Sequence, residues 1–268
     1  MKIGVCTIAW RDQLPIFEII ETAARIGFDG IEVWGRPPHT PRPYNQEYVD
    51  RVRKALSDHG LEVSMFGSYV RAGMENLKAE VKFALKMTKG LGTEICRIWA
   101  GDRGTDTADE GYWSLVMRDL REICKAGRRE GVIFAMERHA NTLTDEVDSA
   151  LRLLNLVGEE NLALNYQVME SHSTPEELKR EMRLLGEHIV NVHAFNFRRG
   201  EGERPIWVRL EEGVIDYKII CDSLKKREFQ GFVEVEFVRR GVEGELEPEE
   251  KELELMRDYE YLRRLTAT

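Results

Sequence analysis

The sequence predicts an α/β fold of the (βα)8 barrel class, on the basis of its length, its short β-rich runs and the helical pattern between them. The chain has 268 residues, and barrels of this class commonly have about 250 residues in one domain. Short apolar runs alternate with longer amphipathic stretches, an order typical of parallel strands joined by crossover helices. We therefore expect residues 1–268 to form a single barrel domain.

Eight runs have the short length and apolar character of buried strands. They are KIGVCTIA, GIEVW, LEVSMFG, EICRIWAG, VIFAMERH, NLALNYQV, IVNVHAF and GFVEVEFV. Eight parallel strands in a chain of this length favour a closed barrel over an open sheet. The sequence contains neither GxGxxG nor GxxxxGKS/T, so the nucleotide-binding open sheets lose their main support.

The segments between these runs have apolar residues at helical spacing. Four of them end in Gly, which readily adopts the positive φ of a helix C-cap: LPIFEIIETAARIG, EYVDRVRKALSDHG, KAEVKFALKMTKGLG and YWSLVMRDLREICKAGRREG. The segment EGELEPEEKELELMRDYEYLRRL predicts a charged last helix that covers the eighth strand.

Charge and cysteine usage restrict the partners and the compartment. With 48 acidic and 39 basic residues the formal net charge is -9, which does not favour nucleic acid or anionic membranes as partners. A small-molecule substrate is the better expectation. Cys6, Cys96, Cys124 and Cys221 lie far apart in apolar segments, as expected of buried free thiols in a reducing compartment. We therefore predict a cytoplasmic protein.

The alternation of side chains along each strand selects candidate site residues, because active sites of barrels lie at the carboxyl ends of the strands. In VIFAMERH, Phe134 and Met136 face the helices, so Glu137 points inward at the end of the strand. The same alternation turns one polar side chain inward at the end of each of the next three strands: Gln167, His193 and Glu236.

This set of side chains predicts a metal site. Carboxylates are rarely buried unless paired, so inward glutamates at neighbouring strand ends need a compensating charge. Two carboxylates, an imidazole and an amide oxygen suit one divalent ion such as Mn, Mg, Co or Zn. The predicted metal ligands are Glu137, Gln167, His193 and Glu236. Glu234 also points inward but lies one layer deeper, where a hydrogen-bonded structural role is expected.

At these residues the sequence resembles the xylose isomerase-like TIM barrel superfamily, specifically its sugar phosphate isomerase/epimerase group. GFDGIEVWG is similar to the second strand of that family, MERHANTLTD to the fifth and IVNVHAF to the seventh. The resemblance covers nearly the whole chain and implies metal binding by Glu137, His193 and Glu236. The sixth strand departs from the family pattern, because Gln167 stands where Asp is common. We expect weaker metal binding and a stronger Lewis acid.

The resemblance implies a metal-dependent sugar isomerase or epimerase that acts on a keto-sugar or related polyol through a metal-stabilised enediolate. Glu137 and Glu236 would lie on opposite faces of the substrate, one removing the α-proton and the other returning it. The resemblance also implies that Arg199, six residues after His193, contacts the substrate, although Arg198 beside it is an alternative.

Three further residues are predicted to contact the substrate. His139 lies two residues past Glu137 and has the same parity. Trp10 and Trp99 lie at or near the ends of the first and fourth strands, where their flat faces can stack on a sugar ring. Packing at the barrel rim is the alternative role for both tryptophans.

The sequence alone leaves three other functions open. Loss of a β-hydroxyl group at the same site would make the protein an inosose-type dehydratase. An endonuclease IV-like phosphodiesterase would need several zinc ions and more ligands than a chain with six histidines offers. A noncatalytic barrel that binds metal or ligand is the third alternative, since fold alone does not fix function. The family resemblance also implies that the chain can form a homo-oligomer.

Overall fold

Eight parallel strands close into a barrel, which confirms the predicted fold class. The computed structural model describes residues 1–200, 205–238 and 245–267. The barrel strands are β1 (Lys2–Cys6), β2 (Gly30–Trp34), β3 (Glu62–Gly67), β4 (Ile95–Ile98), β5 (Ile133–Glu137), β6 (Leu162–Tyr166), β7 (Ile189–Ala194) and β10 (Phe232–Val235). They follow one another around the barrel in chain order, and β10 pairs with β1 to close it. Every predicted strand run is therefore a barrel strand.

Within the described residues, eight α-helices surround the barrel. They are α1 (Ile16–Ile26), α2 (Gln46–Asp58), α3 (Leu77–Leu91), α4 (Glu110–Glu130), α5 (Val147–Val157), α6 (Pro175–Leu185), α7 (Tyr217–Lys226) and α8 (Pro248–Thr266). Gly27 after α1 and Gly131 after α4 have φ values of 105° and 66°, as the predicted helix ends require. Helix α8 packs against β1 and β10, so the acidic last segment covers the eighth barrel strand as expected.

The predicted alternation of side chains along β5 is present in the structure. A β-carbon on Gly127 of α4 would collide with the Phe134 ring, so Phe134 points toward the helices. Glu137, at the end of the same strand, is 2% exposed inside the barrel. In β5, Phe134 therefore points toward the helices and Glu137 toward the barrel interior, as the alternation predicts.

One antiparallel hairpin was not expected from the sequence. Strand β8 (Asn196–Arg199) follows β7 almost directly and pairs with β9 (Pro205–Val208). Phe195, Trp207 and Phe237 pack edge to face or tilted at its base, with ring centroids 4.9 to 6.4 Å apart. The hairpin thus adds an aromatic wall to the barrel mouth next to β7 and β10.

Two features of the composition have structural counterparts. All four cysteines are free and buried. Among the helices that the structure describes, none has the length and apolar character needed to cross a membrane.

Candidate functional site

Three of the predicted ligands lie together at the carboxyl end of the barrel. Glu137 is the last residue of β5, His193 lies in β7, and Glu236 directly follows β10. One ligand atom from each lies within 4.8 Å of the other two. All three residues are 3% exposed or less. Three residues from distant parts of the chain, which the alternation of side chains selected, therefore lie together in the structure.

The donor atoms of this cluster fit a bound cation. The buried side-chain atoms that make no hydrogen bond within the described part of the chain include Glu137 Oε2, Gln167 Oε1, His193 Nδ1 and Glu236 Oε2, of which Glu137 Oε2 lies in an ion pair with Arg97. Buried polar atoms in folded proteins rarely lack a partner unless a water or an ion supplies one. They belong to the four residues predicted as ligands, and oxygen with imidazole nitrogen suits Mg, Mn, Co or Zn. Gln167 directly follows β6 and is 9% exposed.

The surroundings of His193 leave one ring nitrogen available. Its Nε2 lies 2.5 Å from Glu32 Oε2 and 3.2 Å from Asn165 Nδ2. Its Nδ1 faces Glu236 Oε1 at 3.4 Å and Glu137 Oε1 at 3.7 Å. A carboxylate on the far nitrogen of a histidine is the usual device that fixes the orientation of a metal-binding imidazole. Nδ1 is therefore the nitrogen that can bind a cation.

Two buried charged residues of this centre were missed by the sequence argument. Arg97 Nη1 of β4 lies 3.0 Å from Glu137 Oε2 and 3.8 Å from Glu32 Oε1 of β2. The same guanidinium lies 3.3 Å from the carbonyl oxygens of Gly67 and Ser68. The alternation of side chains in GIEVW and EICRIWAG is the signal that points Glu32 and Arg97 inward.

Glu234 lies in the deeper layer, where hydrogen bonds hold its carboxyl group as predicted. Ser64 Oγ donates to Glu234 Oε1 at 2.5 Å, and Asn191 Nδ2 donates to Oε2 at 2.7 Å. Glu234 also lies within reach of Glu32 and His193, as a second group of closely spaced ligand atoms below the first. Burial raises the pKa of Glu234 to about 8, and the charge of Glu32 adds to the rise. Burial thus favours the neutral form of this carboxyl group, whereas the hydrogen bonds from Ser64 and Asn191 favour its charged form.

Neighbouring charges shift the pKa values of Glu137 and His193 in the upper layer. Burial alone would raise the pKa of Glu137, but the Arg97 guanidinium, aided by His193, lowers it to about 2. Burial would lower the pKa of His193, yet the carboxylates of Glu236 and Glu32 outweigh it and raise that pKa well above its usual range. A cation that binds Nδ1 must displace the proton held there.

A row of half-buried rings and guanidinium groups, with one exposed arginine, runs along one side of the barrel mouth. We call it the mouth arc; its members are Trp34, Arg36, Tyr69, Arg71, Trp99 and His139. Trp99 stacks on His139 with ring centroids 4.7 Å apart and planes at 21°. Two of the predicted substrate contacts, Trp99 and His139, therefore lie side by side. His139 is two residues beyond Glu137 in the chain.

The other two predicted substrate contacts lie elsewhere. Trp10 is fully buried in the hydrophobic core, which favours the packing role. Arg199 ends β8 with an exposed side chain and pairs through its backbone with Pro205. Arg198 beside it donates from Nε to the carbonyl oxygen of Glu212 at 2.8 Å. The arginines of the hairpin are thus on the surface, apart from the buried cluster.

Comparison with known proteins identifies relatives along almost the whole chain. A 3-dehydroshikimate dehydratase from Bacillus anthracis is 29% identical over 274 residues, which cover 94% of this chain and 96% of the relative. A fructoselysine 3-epimerase from Escherichia coli is 23% identical over 253 residues, with 89% and 90% covered. These relatives are a dehydratase and an epimerase, which indicates that this chain too is an enzyme.

Solved structures agree on the fold. The probable 3-DHS dehydratase from Bacillus anthracis superposes with a TM-score of 0.82 at 25% identity, covering 98% of both chains. A D-psicose 3-epimerase from Clostridium cellulolyticum, solved with D-tagatose, has a TM-score of 0.80 at 19% identity and covers 100% of both chains. The second likeness shows the fold alone. The family model described as xylose isomerase-like TIM barrel matches residues 20–264, and the chain is therefore a member of that family.

Proposed function

We propose that this protein is a metal-dependent dehydratase, which removes a proton next to the carbonyl group of a small hydroxylated compound and then expels water. The observation that carries the proposal is the convergence of buried ligand atoms from Glu137, His193 and Glu236, beside the buried amide oxygen of Gln167. The dehydratase relative, similar over nearly the full length of both chains, supports elimination as the outcome.

The residues of the site support a division of roles in that reaction. A divalent ion held by the four side chains would polarise the carbonyl group and stabilise the negative charge that develops on its oxygen. We assign abstraction of the α-proton to Glu236, because Arg97 Nη1 lies 3.0 Å from Glu137 Oε2 and stabilises the ionised form of that carboxylate. Glu137 would then stay ionised throughout.

Expulsion of water also needs a proton for the leaving hydroxyl group. His139 Nδ1 lies 2.8 Å from the carbonyl oxygen of Ala140, which can only accept, so Nδ1 carries a proton. Nε2 is the nitrogen left to exchange a proton with a substrate. We propose that His139 protonates the leaving hydroxyl group as its C–O bond breaks. The electron pair of the former C–H bond forms the new double bond, and the α-proton stays on Glu236.

A 3-epimerase acting on a ketose is the second candidate, since it uses the same proton abstraction. It is supported by the fructoselysine 3-epimerase relative and by the two glutamates that share the site. Inversion of a carbon requires a second group that returns the proton from the opposite face. Glu137 is poorly suited to that step while Arg97 lies 3.0 Å away, which is why we place dehydration first.

The test is to incubate the protein with 3-dehydroshikimate in D2O, with Mn, Mg, Co or Zn added in turn. Dehydration gives an aromatic dihydroxybenzoate that is followed by ultraviolet absorbance, and NMR detects exchange of the α-hydrogen. A parallel panel of ketoses and inososes reports epimerisation or other dehydrations. Product formation that stops with chelator supports the dehydratase. Exchange and epimerisation of a ketose, with 3-dehydroshikimate untouched, would replace it with the epimerase.

A further inference from the structure

We infer that the substrate carries a carboxylate group, and that Arg36 and Arg71 of the mouth arc bind it. This inference rests on the proposed function, because it names the substrate class of the same site. The two arginines lie in the connections that follow β2 and β3, at the carboxyl ends of those strands. In a barrel enzyme, that end holds the substrate.

Contacts along the mouth arc join these arginines to the reacting end of the site. The Arg36 guanidinium lies 4.0 Å from the centroid of Tyr69, and the Tyr69 hydroxyl accepts from Trp34 Nε1 at 2.7 Å. Tyr69 lies 6.0 Å from Trp99, and the Arg71 guanidinium lies 4.8 Å from the same indole. Because Trp99 also stacks on His139, the arc is one continuous surface from the two arginines to the proposed proton donor.

Neither guanidinium group has a hydrogen-bonded carboxylate among the described residues, although Arg71 forms one long ion pair with Asp102. Arg36 has an exposed side chain and makes no side-chain hydrogen bond or ion pair within the described residues. Arg71 is 34% exposed, and its Nη1 lies 3.8 Å from Asp102 Oδ2, beyond hydrogen-bond distance. By contrast, Arg42 also lies over a ring, that of Phe83, but forms two hydrogen bonds with Glu80. The mouth arginines keep their donors available.

Stacking on a ring makes such arginines suitable receptors. A planar guanidinium held against an aromatic face loses less conformational freedom when a ligand binds, and its fork of donors matches the two oxygens of a carboxylate. The whole molecule has a formal net charge of -9, so a negatively charged substrate is attracted only where local cations outweigh the overall field. The mouth arc supplies two such cations.

The experiment uses shikimate and methyl shikimate as probes. Shikimate has the ring, hydroxyl groups and carboxylate of 3-dehydroshikimate but no ketone, so it binds without turnover, and the ester lacks the charge. Calorimetric titration of each probe in the presence of Mg compares the wild type with Arg36→Gln and Arg71→Gln. Arg152→Gln is the matched control, because Arg152 lies 4.3 Å from the Trp113 ring in the helical layer and its side chain is 48% exposed.

Charge-assisted hydrogen bonds of this kind predict that shikimate binds about tenfold more tightly than its ester, and that each mouth variant loses about tenfold for shikimate only. The control should bind as the wild type does. Equal affinity for the two probes, binding of neither, or an equal loss in Arg152→Gln would overturn the inference. Binding with this selectivity but without turnover of 3-dehydroshikimate would contradict the proposed function and leave the carboxylate site standing. Turnover of 3-dehydroshikimate with an unchanged KM in Arg36→Gln and Arg71→Gln would contradict the carboxylate site and leave the proposed function standing.

Discussion

At the scale of single residues, Arg97 gives Glu137 and Glu236 different surroundings. Its guanidinium contacts Glu137 directly at 3.0 Å, whereas Glu236 faces the imidazole of His193 at 3.4 Å. A base works best when its pKa lies near the working pH, so the glutamate paired with arginine is the poorer one. We therefore propose different roles for the two carboxylates, although both lie at the end of a barrel strand.

Glu236→Gln tests that division of roles. We expect a folded protein whose turnover of 3-dehydroshikimate falls by about 100-fold or more, because an amide cannot accept the α-proton. Steady-state rates, circular dichroism and metal content are measured together, so that loss of metal is separated from loss of the base. Glu170→Gln, an exposed change in the connection after β6, is the control and should retain activity. Full activity in Glu236→Gln would exclude the base role.

Gln167→Asp tests the departure at the sixth strand. Restoring a carboxylate adds one negative charge beside the proposed ion, so the metal Kd should fall by about tenfold or more while the Lewis acidity decreases. Competition with a fluorescent chelator measures the Kd without any substrate. An unchanged Kd would mean that residue 167 does not coordinate.

Glu32→Gln tests how His193 is oriented. The carboxylate of Glu32 holds His193 Nε2 at 2.5 Å. Loss of such a partner commonly weakens metal binding by about 10- to 100-fold. The same chelator competition measures this, and Glu62→Gln is the control, since Glu62 is an exposed residue at the start of β3. Equal metal affinity in Glu32→Gln and the wild type would remove Glu32 from the centre.

At the scale of elements, the packing of α4 on β5 depends on the absence of a side chain at Gly127. A β-carbon there would meet the Phe134 ring and the carbonyl oxygen of Val132. Gly127→Ala should therefore lower the free energy of unfolding by about 1–2 kcal/mol, although alanine has the higher helix propensity. Urea denaturation measures it. The double variant with Phe134→Leu should lose less than the sum of the two single changes, and strict additivity would contradict the collision.

Elements with a regular period were predictable, and the others were not. The eight barrel strands and the glycine-ended helices follow from alternation and helical spacing, and alternation also placed Glu137, His193 and Glu236 together. The hairpin was missed because β8 and β9 are only four residues each and flank a polar segment. Arg36 and Arg71 lie in connections, where no period tells which way a side chain points. Their contacts depend on how neighbouring connections fold against one another.

At the scale of the whole molecule, a buried acid makes the stability depend on pH. Asp258 of α8 accepts a hydrogen bond from the backbone N–H of Leu210 at 2.8 Å. Burial raises the pKa of Asp258 to about 7, and Glu254 adds to the rise. The folded state then holds a proton that the unfolded chain releases near pH 4. Its contribution to stability is present below that pH and is lost as the pH rises toward 7.

Asp258→Asn tests this dependence, because asparagine keeps an acceptor for Leu210 and never ionises. Between pH 4 and pH 8 the free energy of unfolding of the variant should improve relative to the wild type by on the order of 2 kcal/mol. Urea denaturation at the two pH values measures the change. Asp148→Asn is the control, since that side chain is 79% exposed. A constant difference between Asp258→Asn and the wild type would contradict the buried proton.

The ion pair of Arg97 also affects which charge a cation bound in the barrel interior should carry. Glu32, Glu137 and Glu236 bring three negative charges next to His193, and Arg97 offsets one of them. Two remain when His193 gives up its proton, which is the charge of a divalent cation. A monovalent ion would leave the interior negative and a trivalent ion would leave it positive, at a high cost in a medium of low polarity. The neutral amide of Gln167 fits this count, because a fourth carboxylate would leave one negative charge unmatched.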